Sequence, residues 1–224
     1  MKAILLLIKK TFYKLGIDIS FVRMEESRSA IELNDVDTVN KAWSSEKINK
    51  QFLSREILER FHITISILKD HKIELEGKSI MDVGCGNGLL LKFIAEHFKI
   101  FSQSGMEYAR AAIDVAKKVN PEADYVVHDI NKPYLHSYDA VFCTEVLEHI
   151  LYPGNAFSNL LDMVRKNGIL FLTVPNGRRD TYAGHINFWS PESWDVFLDE
   201  NSRGLKYISG EAEKGLLYAI VYQN

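Results

Sequence analysis

Residues 80–88 read Ile-Met-Asp-Val-Gly-Cys-Gly-Asn-Gly, and Leu89-Leu90-Leu91 follow at once. A short strand-type run empties into three alternate glycines and then into an apolar helix start. Glycine lets the chain turn tightly and brings backbone close to a neighbour or ligand. A strand, a glycine loop and a helix in that order belong to α/β architectures with a parallel sheet. The downstream pattern agrees. Strand-type runs at 79–83, 100–106, 125–130, 138–143 and 169–174 alternate with helical stretches near 89–98, 109–119, 155–166 and 191–200. Asn167-Gly168 reads as a helix end and Pro191 as a first-turn residue. The alternation predicts right-handed crossovers and a doubly wound parallel sheet. At the tail, 206–209 and 216–222 are joined by only Gly-Glu-Ala-Glu-Lys-Gly. No helix fits there, so the last pair is predicted to be an antiparallel hairpin.

The rest of the chain is less regular. Through Arg23 there are five basic residues (Lys2, Lys9, Lys10, Lys14, Arg23) and one acidic residue, Asp18. Ile4, Ile8, Phe12 and Leu15 share a helical face. A basic amphipathic helix over 1–26 is therefore expected, suited to an anionic membrane surface through residues 1–23, to a partner, or to its own domain. The apolar run 3–8 is too short for a signal peptide or a membrane span. Residues 27–43 read as a loop. Ser44 or Ser45 caps a helix whose stripe is Leu53, Ile57, Phe61, Ile65 and Leu68, ending near Asp70, and Gly77 breaks it. The organisation expected is the helix at 1–26, a helical cap or lid at 27–75, and the α/β domain at 76–224.

The 224 residues are 46% hydrophobic and 25% charged, as in an ordinary globular protein. With 27 Lys+Arg against 30 Asp+Glu the net charge is −3, which argues against nucleic acid as a partner. Two cysteines, Cys85 and Cys143, make no disulfide framework and point to a reducing, cytoplasmic setting. That setting extends to the inner membrane face if 1–23 dock there.

Glu107 closes the second strand, 23 residues after Gly84. In a doubly wound sheet that carboxylate comes to lie beside the glycine loop, where it can accept from both hydroxyls of a ribose. Asp129 ends the third strand at the same edge and could accept from an adenine amino group. The glycine spacing is G-x-G-x-G, off the G-x-G-x-x-G pattern of NAD-binding oxidoreductases. With Asp82-Val83-Gly84-Cys85-Gly86-Asn87-Gly88, Glu107, Asp129, 138–143 and 168–173, the chain resembles the class I S-adenosylmethionine-dependent methyltransferases over about residues 76–224. The resemblance implies a Rossmann-like α/β fold, a doubly wound, mostly parallel sheet with a C-terminal antiparallel strand. It also implies S-adenosylmethionine as cofactor. Gly84, Cys85 and Gly86 would line the methionine part, Glu107 the ribose, Asp129 and Ile130 the adenine, and Cys143 and Thr144 the methionine moiety again.

Glu145, Glu148 and His149 stand at i, i+3 and i+4 just past the fourth strand, and on a helix would share a face. His185 follows 36 residues later. Two carboxylates and two imidazoles suit an open site for Mg²⁺, Mn²⁺ or Zn²⁺. The same residues also read as a general base, His149 with His185 beside it, or as a purely structural helix turn. The set is similar to that of ubiquinone-pathway O-methyltransferases and of plant small-RNA 2′-O-methyltransferases. Arg178, Arg179, Tyr182, Phe188, Trp189 and Trp194 fall where this fold's acceptor site would be. These features imply O-methylation of a hydroxyl on a small molecule, sugar or lipid-linked glycan, the last because the basic N-terminus resembles that of bacterial polysaccharide methyltransferases. A prenylated quinone precursor is the alternative acceptor, and a non-catalytic S-adenosylmethionine-binding subunit the alternative role.

Overall fold

The computed structural model describes residues 29–45 and 54–224. The basic amphipathic helix expected over 1–26 lies outside the described residues. Where a loop was expected, two short helices form. α1 (Ala30–Leu33) is capped by Ser29 and Glu32, which bond to each other's backbone N–H in a capping box. α2 (Val36–Trp43) starts at Asp35, whose carboxylate accepts from Asp37 and Thr38 N–H. Polar caps dominate these residues and hide a short apolar face. Val39 and Trp43 pack on Ala109 and Ala112 across the molecule.

α3 (Arg55–Asp70) is capped by Ser54 and buries Ile65, Ile67 and Leu68. Then come β1 (Ser79–Val83), α4 (Leu89–His97), β2 (Ser102–Glu107), α5 (Arg110–Val119), β3 (Asp124–Val127), β4 (Tyr138–Thr144), α6 (Pro153–Asp162), β5 (Val164–Pro175), α7 (Pro191–Asn201), β6 (Tyr207–Ala212) and β7 (Leu216–Tyr222). The seven strands form one sheet in the order β3-β2-β1-β4-β5-β7-β6. The first five are mutually parallel; β7 runs antiparallel to β5 and to β6. The predicted doubly wound sheet and terminal hairpin are both present. Gly210, Glu211 and Ala212, read as link, belong to β6.

Asn167-Gly168 does not end a helix. α6 stops at Asp162, and β5 already pairs Val164 with Tyr138. The register then shifts so that Ala140 faces Ile169, with Asn167 at φ 61° in the bulge. Gly168 fits because a Cβ there would come 2.6 Å from the Asp139 carbonyl oxygen. The exposed Arg165–Lys166–Asn167 stretch looks like a helix tail, yet the ladder claims it.

Side-chain alternation along the strands divides the core into two layers. Val141, Cys143, Leu170 and Leu172 join Phe157, Leu160, Trp194 and Leu198 from α6 and α7. Ala140, Phe142 and Phe171 join Ile65, Leu68, Leu91 and Ile94 from α3 and α4. α3 is thus a structural layer of the fold as well as a neighbour of the site. Among the described residues no helix is long and apolar enough to cross a membrane.

Candidate functional site

The strand order reverses between β1 and β4. At such a point the loops leaving neighbouring strands diverge, opening a crevice at the carboxyl edge of the sheet. The sequence-derived site residues gather in two groups along that edge.

The first group is built on β1 and β2. Gly84, Gly86 and Gly88 all have positive φ (77°, 50° and 72°). A Cβ on Gly84 would come 2.2 Å from Val146 Cγ2, so the close approach requires glycine. Gly84 and Cys85 N–H both donate to the Met106 carbonyl, at 2.8 and 3.1 Å, pinning the loop to β2. Glu107 is buried. Its Oε1 accepts from Tyr108 and Ala109 N–H at 2.8 and 3.3 Å, and its Oε2 accepts from Gly86 N–H at 3.3 Å. Burial pushes its pKa up while these backbone donors oppose the rise. The loop and the carboxylate therefore define each other's position. Trp43 of α2 lies over Gly86, its ring 3.1 Å from where a Cβ would be.

Asp82, which the sequence reading passed over, belongs to this group. It is buried at the end of β1, and its Oδ1 has no hydrogen-bond partner among the described residues. Burial first, then the Glu107 charge, raise its pKa to about 7. The signal was an acid inside a strand with every residue buried. Asp129 turns its Oδ1 to Asn131 N–H and Nδ2, both at 3.0 Å, in a turn after β3. Ile130 is buried, its carbonyl accepting from Asn159 Nδ2 at 2.6 Å. Cys143 is fully buried in the core, and burial first, then the Glu148 and Asp82 charges, push its thiol pKa well up. Cys85 is buried too, and its thiol is raised for the same reason, so neither cysteine offers a thiolate. Thr144 ends β4, half-buried at the edge.

The second group follows β4. The helical face expected for Glu145, Glu148 and His149 does not form. Glu145 takes a left-handed φ of 56°, and only Leu147–His149 make a single 3₁₀ turn. Glu145 consequently points elsewhere. It pairs with Arg60 of α3 and accepts from Thr173 Oγ1 at 3.3 Å. The remaining three residues meet. Glu148, His149 and His185 each offer a ligand atom within 4.8 Å of the others. The His149 and His185 rings lie edge to face at 4.7 Å. Glu148 is fully buried, and both its carboxylate oxygens lack a hydrogen-bond partner among the described residues. Burial raises its pKa to about 8. Burial, helped by His185, lowers that of His149 to about 4. His149 is therefore neutral near pH 7.

The segment 176–190 brings His185 into place. The Glu148 carbonyl accepts from Ile186 and Asn187 N–H at 2.7 and 3.0 Å, and Asn187 Nδ2 spans the Leu147 and Ile150 carbonyls at 3.0 and 2.7 Å. Tyr182, mostly exposed, stands 4.9 Å ring to ring from His185, and exposed Phe188 stands at 6.2 Å. Trp189 and Trp194 are core residues instead. Arg178 is committed to Glu192 at 2.6 Å. Beside the cluster opens a cavity of about 450 Å³ lined by Arg60, Asn176, Arg179, Asp180, Tyr182 and Lys214, among others.

The residues present fit a divalent cation. A carboxylate buried with both oxygens unpartnered needs a proton or a cation, and the imidazoles of His149 and His185 beside it carry nitrogens able to ligate one. One carboxylate and two imidazoles favour Zn²⁺ or Mn²⁺ over the harder Mg²⁺. Glu145 is not part of this donor set, because Arg60 and Thr173 hold it.

The family described as methyltransferase domain matches residues 49–212. The ubiquinone biosynthesis O-methyltransferase of Coxiella burnetii is 31% identical over 119 residues, 50% of this chain and 50% of that protein. The mitochondrial enzyme of the same name from Schizosaccharomyces pombe is 27% identical over 161 residues, 67% of this chain and 58% of its own. The matched part of the chain thus spans about half the length of the curated relatives. In shape, the plantazolicin methyltransferase BpumL bound to SAH superposes with a TM-score of 0.65 at 16% identity, over 87% of this chain and 98% of that one. The N-methyltransferase NodS from Bradyrhizobium japonicum, also bound to SAH, gives 0.63 at 16% identity, over 85% and 98%. At such low identity these structures show the shared fold.

Proposed function

Because the chain belongs to the family of methyltransferase domains, we propose that it moves a methyl group from S-adenosylmethionine to a hydroxyl oxygen. The acceptor hydroxyl sits on a small molecule, a sugar or a lipid-linked glycan. One observation carries this reading: two differently built groups gather at the carboxyl ends of β1, β2 and β4, around the β1/β4 switch point. The glycine loop with Glu107 suits the nucleoside and methionine of the cofactor. The cluster of Glu148, His149 and His185 suits the acceptor oxygen.

In the reaction the acceptor O–H gives its proton to solvent water, an O–CH₃ bond forms as the S–CH₃ bond breaks in line, and neutral S-adenosylhomocysteine leaves. Gly84, Cys85 and Gly86 bring backbone against the methionine part, Glu107 accepts from the ribose hydroxyls, and Asp129 and Ile130 border the adenine. Asp82, with an unpartnered oxygen beside the loop, suits the cofactor's ammonium group. At the other pole Glu148, His149 and His185 would hold a divalent cation. The chemistry such an ion supplies is Lewis acidity toward a hydroxyl oxygen. The depressed pKa of His149 supports a ligand over a general base, since a group neutral down to about pH 4 binds a proton weakly. Tyr182 and Phe188 offer exposed rings for stacking on a sugar or an aromatic acceptor.

The curated relatives favour a second acceptor, a prenylated quinone precursor. Labelled S-adenosylmethionine incubated with cell fractions separates the two. Label in the glycan or glycolipid fraction supports the sugar, and label in the apolar lipid extract supports the quinone. Loss of label in EDTA, restored by Zn²⁺ or Mn²⁺, supports the cation. Unchanged transfer in strong chelator removes it. Binding of S-adenosylhomocysteine without transfer to any fraction leaves a cofactor-binding subunit.

A further inference from the structure

His185 reaches the cluster from a loop, and a loop histidine needs something to hold its ring. That something is Asp180, five residues earlier. Both side chains are nearly buried, with 9% and 11% of their surface exposed. The carboxylate Oδ2 accepts from His185 Nδ1 in a short contact. Asp180 is itself held at both ends. Its N–H donates to the Asn176 carbonyl at 3.2 Å, and its Oδ1 accepts from Tyr182 N–H at 3.0 Å. Asn176 in turn is buried and tied to β6 through Nδ2 and Glu211 at 3.0 Å. The Oδ2 that meets His185 therefore has a fixed position relative to the sheet.

A carboxylate only accepts, so Nδ1 of His185 carries the hydrogen. In the neutral ring Nε2 is then the lone-pair nitrogen, and Nε2 is the atom 3.9 Å from Glu148 Oε1. His149 obeys the same rule by another route. Its Nδ1 faces the Gly184 carbonyl at 3.2 Å, another pure acceptor, which leaves its Nε2 with the lone pair. One short stretch, 180–184, thus sets both imidazoles to the same tautomer.

We propose that Asp180 is the positioning residue of this cluster, fixing the tautomer and plane of His185 so that its Nε2 lone pair is presented beside Glu148. This rests on the reading of Glu148, His149 and His185 as a cation site. Ligating histidines are commonly oriented by such a carboxylate, and its loss weakens metal binding by about 10–100-fold.

The test uses the full chain as wild type, Asp180→Asn, Asp180→Ala and His185→Ala, with near-ultraviolet circular dichroism to show that each is folded. Two quantities are read: the His185 tautomer by long-range ¹H–¹⁵N correlation in chelator, and Zn²⁺ affinity by calorimetry. In the wild type His185 is expected as Nδ1–H alone. Asp180→Ala should mix the tautomers and weaken Zn²⁺ about 10–100-fold. Asp180→Asn has one acceptor oxygen for two donors, Tyr182 N–H and His185 Nδ1–H, so it should hold the tautomer only in part and fall between wild type and Asp180→Ala in affinity. His185→Ala should lose the site. The proposal is overturned if Asp180→Ala keeps both the tautomer and the affinity, or if Asp180→Asn weakens Zn²⁺ as much as His185→Ala does. If the wild type binds no Zn²⁺ while Asp180→Ala still mixes the tautomers, the cation reading falls and the positioning role of Asp180 stands.

Discussion

Glu148 is a carboxyl group with nowhere to put a charge. Its pKa of about 8 in the folded chain lies above its ordinary value, so folding favours the protonated form. That contribution is fully present below the ordinary pKa of about 4.5 and is lost as pH rises through about 8. Asp82 behaves alike, its contribution lost as pH rises through about 7. His149 has the opposite sign. Its depressed pKa favours the neutral ring, so its contribution is present above about 6.5 and is lost as pH falls toward 4. Above pH 6.5 the two acids therefore dominate. In chelator, urea unfolding should show stability falling from pH 6.5 to 8.5, by at most about 1.4 kcal/mol per pH unit for each proton. Glu148→Gln should remove the larger part of the fall above pH 7, where Asp82 is already half ionised and Glu148 still holds its proton. A wild-type curve that is flat over this range would refute the assignment. With Zn²⁺ bound the Glu148 share of the slope should also vanish, because the cation replaces its proton, while the Asp82 share remains.

The glycine loop shows how an element can be fixed by what it must avoid. Gly84 and Gly77 share a left-handed backbone, at φ 77° and 70°. Only Gly84 has a side chain in the space a Cβ would enter. Gly77→Ala should cost about 1–2 kcal/mol from backbone strain and leave ligand binding untouched. Gly84→Ala should cost more, because Val146 must also move, and should weaken S-adenosylhomocysteine at least tenfold. Denaturant melts and calorimetry on both variants check this; equal binding loss in the two would mean that backbone strain alone is responsible. Helix α2 adds a second constraint on the same loop. Its Trp43 closes over Gly86 and packs on α5. Neither contact is written in the polar run 29–45, whose periodicity is too short to separate a two-turn helix from a loop.

At the scale of the molecule, α3 links the two groups to the core. Its buried face fills one side of the sheet, and its Arg60 reaches Glu145 at the crevice edge. Leu68, fully buried among sheet residues, should cost about 2–5 kcal/mol when cut to Ala, read from urea unfolding. Deleting residues 1–75 would uncover Ile80, Phe142 and Phe171, so such a chain is expected to aggregate or to lose its near-ultraviolet dichroism. A folded, ligand-binding 76–224 fragment would show that the helical segment is a separable cap after all.

The alternation of strands and helices, the parallel sheet and the terminal hairpin were legible because they rest on period and spacing, which are local properties of the chain. The glycine loop and Glu107 were legible for the same reason, being a fixed count of residues apart. The cluster was legible only in part. Glu148, His149 and His185 converge, yet the 3₁₀ turn and the left-handed Glu145 separate the fourth expected member from them. Whether residues three apart share a face depends on the backbone between them, and here the pull of Arg60 and Thr173 decides it. Asp82 and Asp180 carry no sequence signature beyond an acid in a strand and an acid in a loop. Their roles come from burial and from partners that only the assembled fold brings together. Composition and order along the chain determined the architecture; desolvation and long-range contact decided which of its polar groups are left facing one another.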